Sequence, residues 1–223
     1  MNPILALDIT TLSYNEYLKI FYNQISVENI ESLYEHDRVQ FENTKINFQR
    51  TSRLNKIFIP ADETKDIFSQ IEVRQRWFVI TESWCGDSAQ NLPILAKLAS
   101  LSEKIDFKIV LRNSNLDFMD LYLTDGKRSI PKLIVFDGND NELFRWGPRP
   151  VETQNLFTKL KNEGVEKSEI NRQLQLWYGR DKGKEVEKEI TDSVKMNLNH
   201  HSNWEKSNYN FYLYWEIIFI YDS

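Results

Sequence analysis

Apolar, strand-like runs alternate with helical patterns through the middle of this chain, and that alternation limits its fold more than any other feature. Lys56-Ile57-Phe58-Ile59, Trp77 to Thr81, Ile105 to Leu111, Pro131 to Phe136 and Glu142 to Trp146 read as strands. Pro60 stops the first. A helix capped by Asp62 then carries Ile67, Phe68 and Ile71 on one side. The pattern Leu92, Leu95, Ala96, Ala99 gives the next helix, and Leu116 to Leu123 a short one. Trp77 to Thr81 is apolar throughout, as expected of a strand buried on both faces. The order predicts an α/β fold with a mostly parallel sheet covered on both sides. Asp137-Gly138-Asn139-Asp140 is turn chemistry, so the last two strands form a hairpin that adds an antiparallel edge.

The flanks read differently. Residues 12–52 are expected to be helical, with Tyr14, Leu18, Phe21 and Ile25 on one face. Ser26 is placed as the N-cap of a second helix bearing Ile30, Leu33, Tyr34 and Phe41. After Pro148 and Pro150, a helix from Val151 to Lys161 ends near Gly164. Ser168 opens another, with Ile170, Leu174, Trp177 and Tyr178 on one side, and a charged helix with Val186, Ile190 and Val194 follows. The expected organisation is a helical extension over 1–55, a central domain over 56–165, packed helices over 166–199 and an aromatic tail over 200–223. The tail holds Trp204, Tyr209, Phe211, Tyr212, Tyr214, Trp215, Phe219 and Tyr221. It reads either as an extra strand or as a non-native extension.

Composition excludes several classes. With 223 residues, 41% hydrophobic and 27% charged, the chain is of ordinary globular type. Its net charge of −5 is spread along the sequence, and no basic patch points to nucleic acid. No apolar run reaches membrane-spanning length, and Met1-Asn2-Pro3 does not open a secretory signal. The single cysteine rules out a disulfide scaffold and suits a reducing, cytoplasmic compartment. No metal site is expected: His200-His201 has no cysteine or acidic cluster beside it. His36 reads as a surface residue of the extension.

That cysteine, Cys85, sits in Trp84-Cys85-Gly86-Asp87-Ser88, between a strand and a helix. A helix N-terminus favours negative charge, which lowers a thiol's pKa and makes it nucleophilic. Ser88, three residues on, is placed to hydrogen-bond the thiolate, whereas the Asp87 carboxylate opposes it. The balance predicts a moderately lowered pKa. Asp87 also has a simple role in the first turn, against the helix dipole. Glu82 is expected to be a solvated carboxylate at the strand end. Arg112 and Arg128 are expected to pair with Asp117, Asp120 or Asp125; holding the carboxylates of a small thiol is the alternative. Trp84 serves equally as core packing or as an apolar contact for substrate.

These residues give the chain a resemblance to the thioredoxin-like superfamily, and within it to the bacterial branch whose motif reads Trp-Cys-Gly-Asp. Trp84-Cys85-Gly86 stands at the active-site position, and Pro93 where the family has a kinking proline. Ser129-Ile130-Pro131-Lys132-Leu133 matches the segment holding the family's cis-proline. Asp137-Gly138, Trp146-Gly147-Pro148, Leu176-Trp177-Tyr178 and Asp181-Lys182-Gly183 also look typical of the branch. The resemblance implies a central mixed sheet flanked by helices, with Ile130 and Pro131 shaping a substrate groove opposite Cys85. Trp84, Gly86 and Asp87 would line the same groove.

The departure from the family is at Ser88, where a second, resolving cysteine usually stands. An internal dithiol cycle is therefore impossible. Cys85 then works as a monothiol resolved by glutathione or another small thiol, or holds a partner thiol covalently, or is redox-silent. The leading expectation is a monothiol disulfide oxidoreductase, with Cys85 and Ser88 catalytic and no resident cofactor. Its partners would be protein or small-molecule disulfides and thiols, without nucleic acid or membrane. A redox-silent protein-binding module is the alternative.

Overall fold

The computed structural model describes residues 9–26 and 34–199. A short strand, β1 (Thr11–Leu12), precedes the helices α1 (Tyr14–Ile25), α2 (Glu35–Ile57) and α3 (Asp62–Ser69). The strands β2 (Gln75–Thr81) and β3 (Ile105–Leu111) flank α4 (Gly86–Ala99). The short α5 (Leu116–Asp120) leads to the hairpin β4 (Lys132–Asp137) and β5 (Glu142–Trp146). Two helices, α6 (Val151–Asn162) and α7 (Lys167–Asp181), follow. Residues 184–199 form a last helix, α8.

The strand order is β1-β3-β2-β4-β5, a mixed sheet flanked by helices. Only β2 and β3 run parallel, with Gln75 opposite Ile105 and Thr81 opposite Leu111. The other three pairings are antiparallel, which corrects the expectation of a mostly parallel sheet. Leu111 ends β3 level with Thr81, and Lys132 starts β4 opposite Ile80. The connection thus begins and ends at one end of the sheet, so β4 must run back along β2.

β2 lies at the centre and is buried from both sides. Trp77 and Val79 point into a core that also holds Leu92, Leu95, Leu98, Leu133 and Val135. Ile80 points the other way, towards Val110, Phe118, Met119, Ile134 and Phe136. The alternation follows from the two-residue period of a strand. The first core extends into the N-terminal helices through Tyr17, Phe21 and Leu54, and into α8 through Val186, Ile190 and Val194.

Several local expectations change. Residues 56–59 are not a strand: α2 runs on to Ile57, and the chain turns extended at Phe58. Leu54 and the C-cap Phe58 are both buried in the core, while Ile57 and Ile59 are exposed. Ala61, not Asp62, is the N-cap of α3. Ser26 closes α1 as its C-cap, and α2 starts at Glu35 after the N-cap Tyr34. Ile30 and Leu33 lie outside the described residues, as do the tail and His200-His201. β1 went unseen because two residues carry no readable period. No helix among the described residues is long and apolar enough to cross a membrane.

Candidate active site

Cys85 is the N-cap of α4, extended at φ −82° and ψ 118°. The Ser88 amide donates to Cys85 Sγ at 3.5 Å, as an N-cap acceptor requires. On its other side the thiol donates to the Ile130 carbonyl at 3.4 Å. The Ile130–Pro131 peptide bond is cis, and so is Gly147–Pro148. The end of β2, the start of α4 and the entrance to β4 therefore meet at one sulfur.

That sulfur is almost enclosed: Cys85 is 9% exposed. Burial pushes the thiol's pKa up, and the Asp87 carboxylate adds to the rise. Ser88 and the backbone amides at the start of α4 pull the other way without prevailing. The expectation of a lowered pKa is corrected, because desolvation of a thiolate outweighs a helix N-terminus when the sulfur is this deeply packed. Ser88 is also buried, with its hydroxyl beside the sulfur, where it favours the thiolate.

Asp87 is more than a first-turn charge. Its carboxylate is buried, 2.6 Å from Arg149 Nη2, and accepts from the Tyr178 hydroxyl at 3.0 Å. Burial raises its pKa, while Arg149 and Tyr178 favour the anion. Asn91, one turn along α4, donates to the Pro148 carbonyl at 3.2 Å and to Tyr178 Oη at 3.3 Å. Sequence reasoning missed this network. Its one legible signal was Arg149 between two prolines; Tyr178 lies 91 positions from Asp87.

The other predicted residues fall into place unevenly. Trp84 is half-buried under the Arg112 guanidinium, 4.6 Å from the ring centroid. Arg112 also donates to the Arg128 carbonyl, whereas Arg128 grips Asp120 with two hydrogen bonds, at 2.6 and 2.7 Å. Glu82 is not solvated: it is buried and accepts from the Asn113 amide at 2.8 Å. Burial raises its pKa. Gly86 faces α2 and α7; a Cβ built there would stand 3.8 Å from Arg50 Nη1. Asn47 on α2 donates to the Ser83 carbonyl at 3.1 Å and so buttresses the turn before Cys85. Among the described residues no three histidine, cysteine, aspartate or glutamate side chains cluster to hold a metal.

A family profile described as Thioredoxin matches residues 34–161. No curated protein matches the chain. Among solved structures, an HIV epitope-scaffold shares 20% identity, with a TM-score of 0.49 over 82% of this chain and 98% of its own. A protein of unknown function from Pseudomonas aeruginosa shares 18% identity, with a TM-score of 0.45 over 86% of this chain and 98% of its own. The profile runs from the start of α2 to the end of α6 and spans more than half of the sequence, the strands β2 to β5 and the cysteine turn included, so the chain belongs to the thioredoxin family.

Proposed function

We propose that the protein exchanges disulfides through Cys85 as a monothiol. The Cys85 thiolate attacks one sulfur of a bound disulfide. A bond forms between Cys85 and that sulfur, the original disulfide bond breaks, and the second sulfur leaves as a thiolate. An external thiolate, glutathione or another small thiol, then attacks the mixed disulfide on the partner's sulfur. Cys85 returns to the thiolate, and the electrons come from the external thiol. The observation that carries this reading is the sulfur's place between the Ser88 amide and the Ile130 carbonyl. There an extended substrate can pair with the backbone edge at Ile130 and Pro131. The buried Ser88 hydroxyl beside the sulfur favours the thiolate when it forms.

The same burial favours a second reading, a redox-silent module that binds proteins through the groove. A thiol 9% exposed with a raised pKa is a slow nucleophile at neutral pH. Trapping separates the two. Incubated folded with glutathione disulfide at pH 8.5, the protein is expected to gain one glutathione by mass spectrometry, and Cys85→Ser none. Release by added thiol completes the cycle. A protein that stays unmodified until it unfolds overturns exchange and leaves the binding module.

A further inference from the structure

A cavity of about 640 Å³ opens between α2 and α7, with Trp84, Gly86 and Asp87 in its lining. Its size is that of a small-molecule site. Asn43, Asn47 and Arg50 enter it from one face of α2 at helical spacing, with Arg53 beside them. Trp84 and Gly86, the residues on either side of Cys85, line it as well. A Cβ at Gly86 would crowd Gln175 Nε2 at 3.2 Å, so the glycine leaves room for that amide against the motif's backbone.

The charges in this cavity are unevenly matched. Arg50 is half-buried, and its Nη1 donates to Asn47 Oδ1 at 2.9 Å. Among the described residues, neither Arg50 nor Arg53 has a carboxylate within ion-pair distance. The two other charged side chains in the lining are engaged: Asp87 by Arg149, and Arg172 by Glu169 at 2.6 Å. A chain with net charge −5 thus keeps two guanidinium groups without a carboxylate partner in one cavity. A guanidinium that is partly desolvated and unpaired binds a carboxylate through two parallel hydrogen bonds. The rest of the lining is rich in amides, from Gln90, Asn171 and Gln175 together with the two asparagines of α2. Such groups both donate and accept, which suits peptide bonds better than bare phosphate.

We propose that this cavity seats a small, carboxylate-bearing, peptide-like molecule, the chemical class to which the external thiol of the exchange reading belongs. The proposal rests on the exchange reading for its ligand class, and on the cavity alone for its binding.

The test uses S-methylglutathione, whose blocked sulfur cannot exchange, titrated calorimetrically into the full chain. One molecule is expected to bind the unaltered protein and Cys85→Ser alike. Arg50→Gln is expected to weaken binding by about tenfold or more, the loss of a bidentate charged contact. Arg50→Lys should fall between, and Arg53→Gln, altering an exposed residue, gives a second reading in a protein certain to keep its core. Failure of S-methylglutathione to bind, or binding unmoved by both glutamine variants, overturns the proposal. So does inorganic phosphate binding in an Arg50-dependent way where S-methylglutathione does not. If binding holds but glutathione disulfide never traps Cys85, the exchange reading falls and the cavity stands. Trapping without Arg50-dependent binding removes the cavity and leaves exchange.

Discussion

At Cys85 two opposing effects act on one atom, and their order sets the chemistry. The amide of Ser88 and the start of α4 favour the thiolate; burial and Asp87 disfavour it and prevail. The thiol's alkylation by iodoacetamide is therefore expected to reach half its maximal rate above the ordinary thiol value of about 8.5. Removing the carboxylate charge in Asp87→Asn lowers the thiol's pKa, so the profile should move to lower pH and the rate at pH 8 should rise. The same change leaves Arg149 buried without its anion, at a cost on the order of 3 kcal/mol in thermal or denaturant unfolding. A pH profile that does not move would remove Asp87 from the thiol's electrostatics. The motif residues and their mutual relation were legible in the sequence, because five consecutive positions at a strand-to-helix junction are a local pattern. The direction of the pKa was not. It depends on how completely the second core, from Ile80 to Phe136, closes over the sulfur.

Among the elements, the turn after β5 has the closest tolerance. Gly147 has φ +103°, and a Cβ there would press on the Pro131 carbonyl oxygen. Gly147→Ala is expected to cost about 1–3 kcal/mol for the backbone conformation alone, with a further loss from that contact. Because Pro131 shapes the groove, trapping of glutathione at Cys85 should slow as well. A denaturation midpoint and a trapping rate both unchanged would show that the turn yields without moving the groove. Helix α8 illustrates what a one-dimensional reading overlooks. Its sequence is that of a charged surface helix, yet Glu189 accepts from Trp146 Nε1 at 2.6 Å and from the Val151 amide at 2.7 Å. Glu187 likewise accepts from the Ala61 amide at 2.6 Å. Two carboxylates thus satisfy backbone donors at the starts of α6 and α3, where helices leave them unpaired. Helical spacing revealed the apolar side of α8, but charge in sequence could not show which carboxylates turn inward.

Across the whole molecule, one hydrophobic core joins the N-terminal helices, the sheet and α8. Phe21 is 1% exposed within it and meets Phe48 edge to face at 5.3 Å. Phe21→Ala is expected to cost about 3–5 kcal/mol, seen as a lower midpoint of one cooperative transition. A separate early transition would show that α1 and α2 fold apart from the sheet. The sequence by itself determined the alternation of strands and helices, the hairpin, the placement of Cys85 at a helix start and the absence of a second thiol. Each of these is written in neighbouring residues, through periodicity, turn chemistry or composition. Only the tertiary structure decided that β4 runs against β2, that α2 continues through Lys56 and Ile57, whose local pattern suggests a strand, and that Asp87 is locked to Arg149 and Tyr178. It also decided that a thiol at a helix N-terminus is harder, not easier, to ionise. These depend on which distant segments exclude water from one another, and desolvation is a property of the assembled core rather than of any stretch of chain.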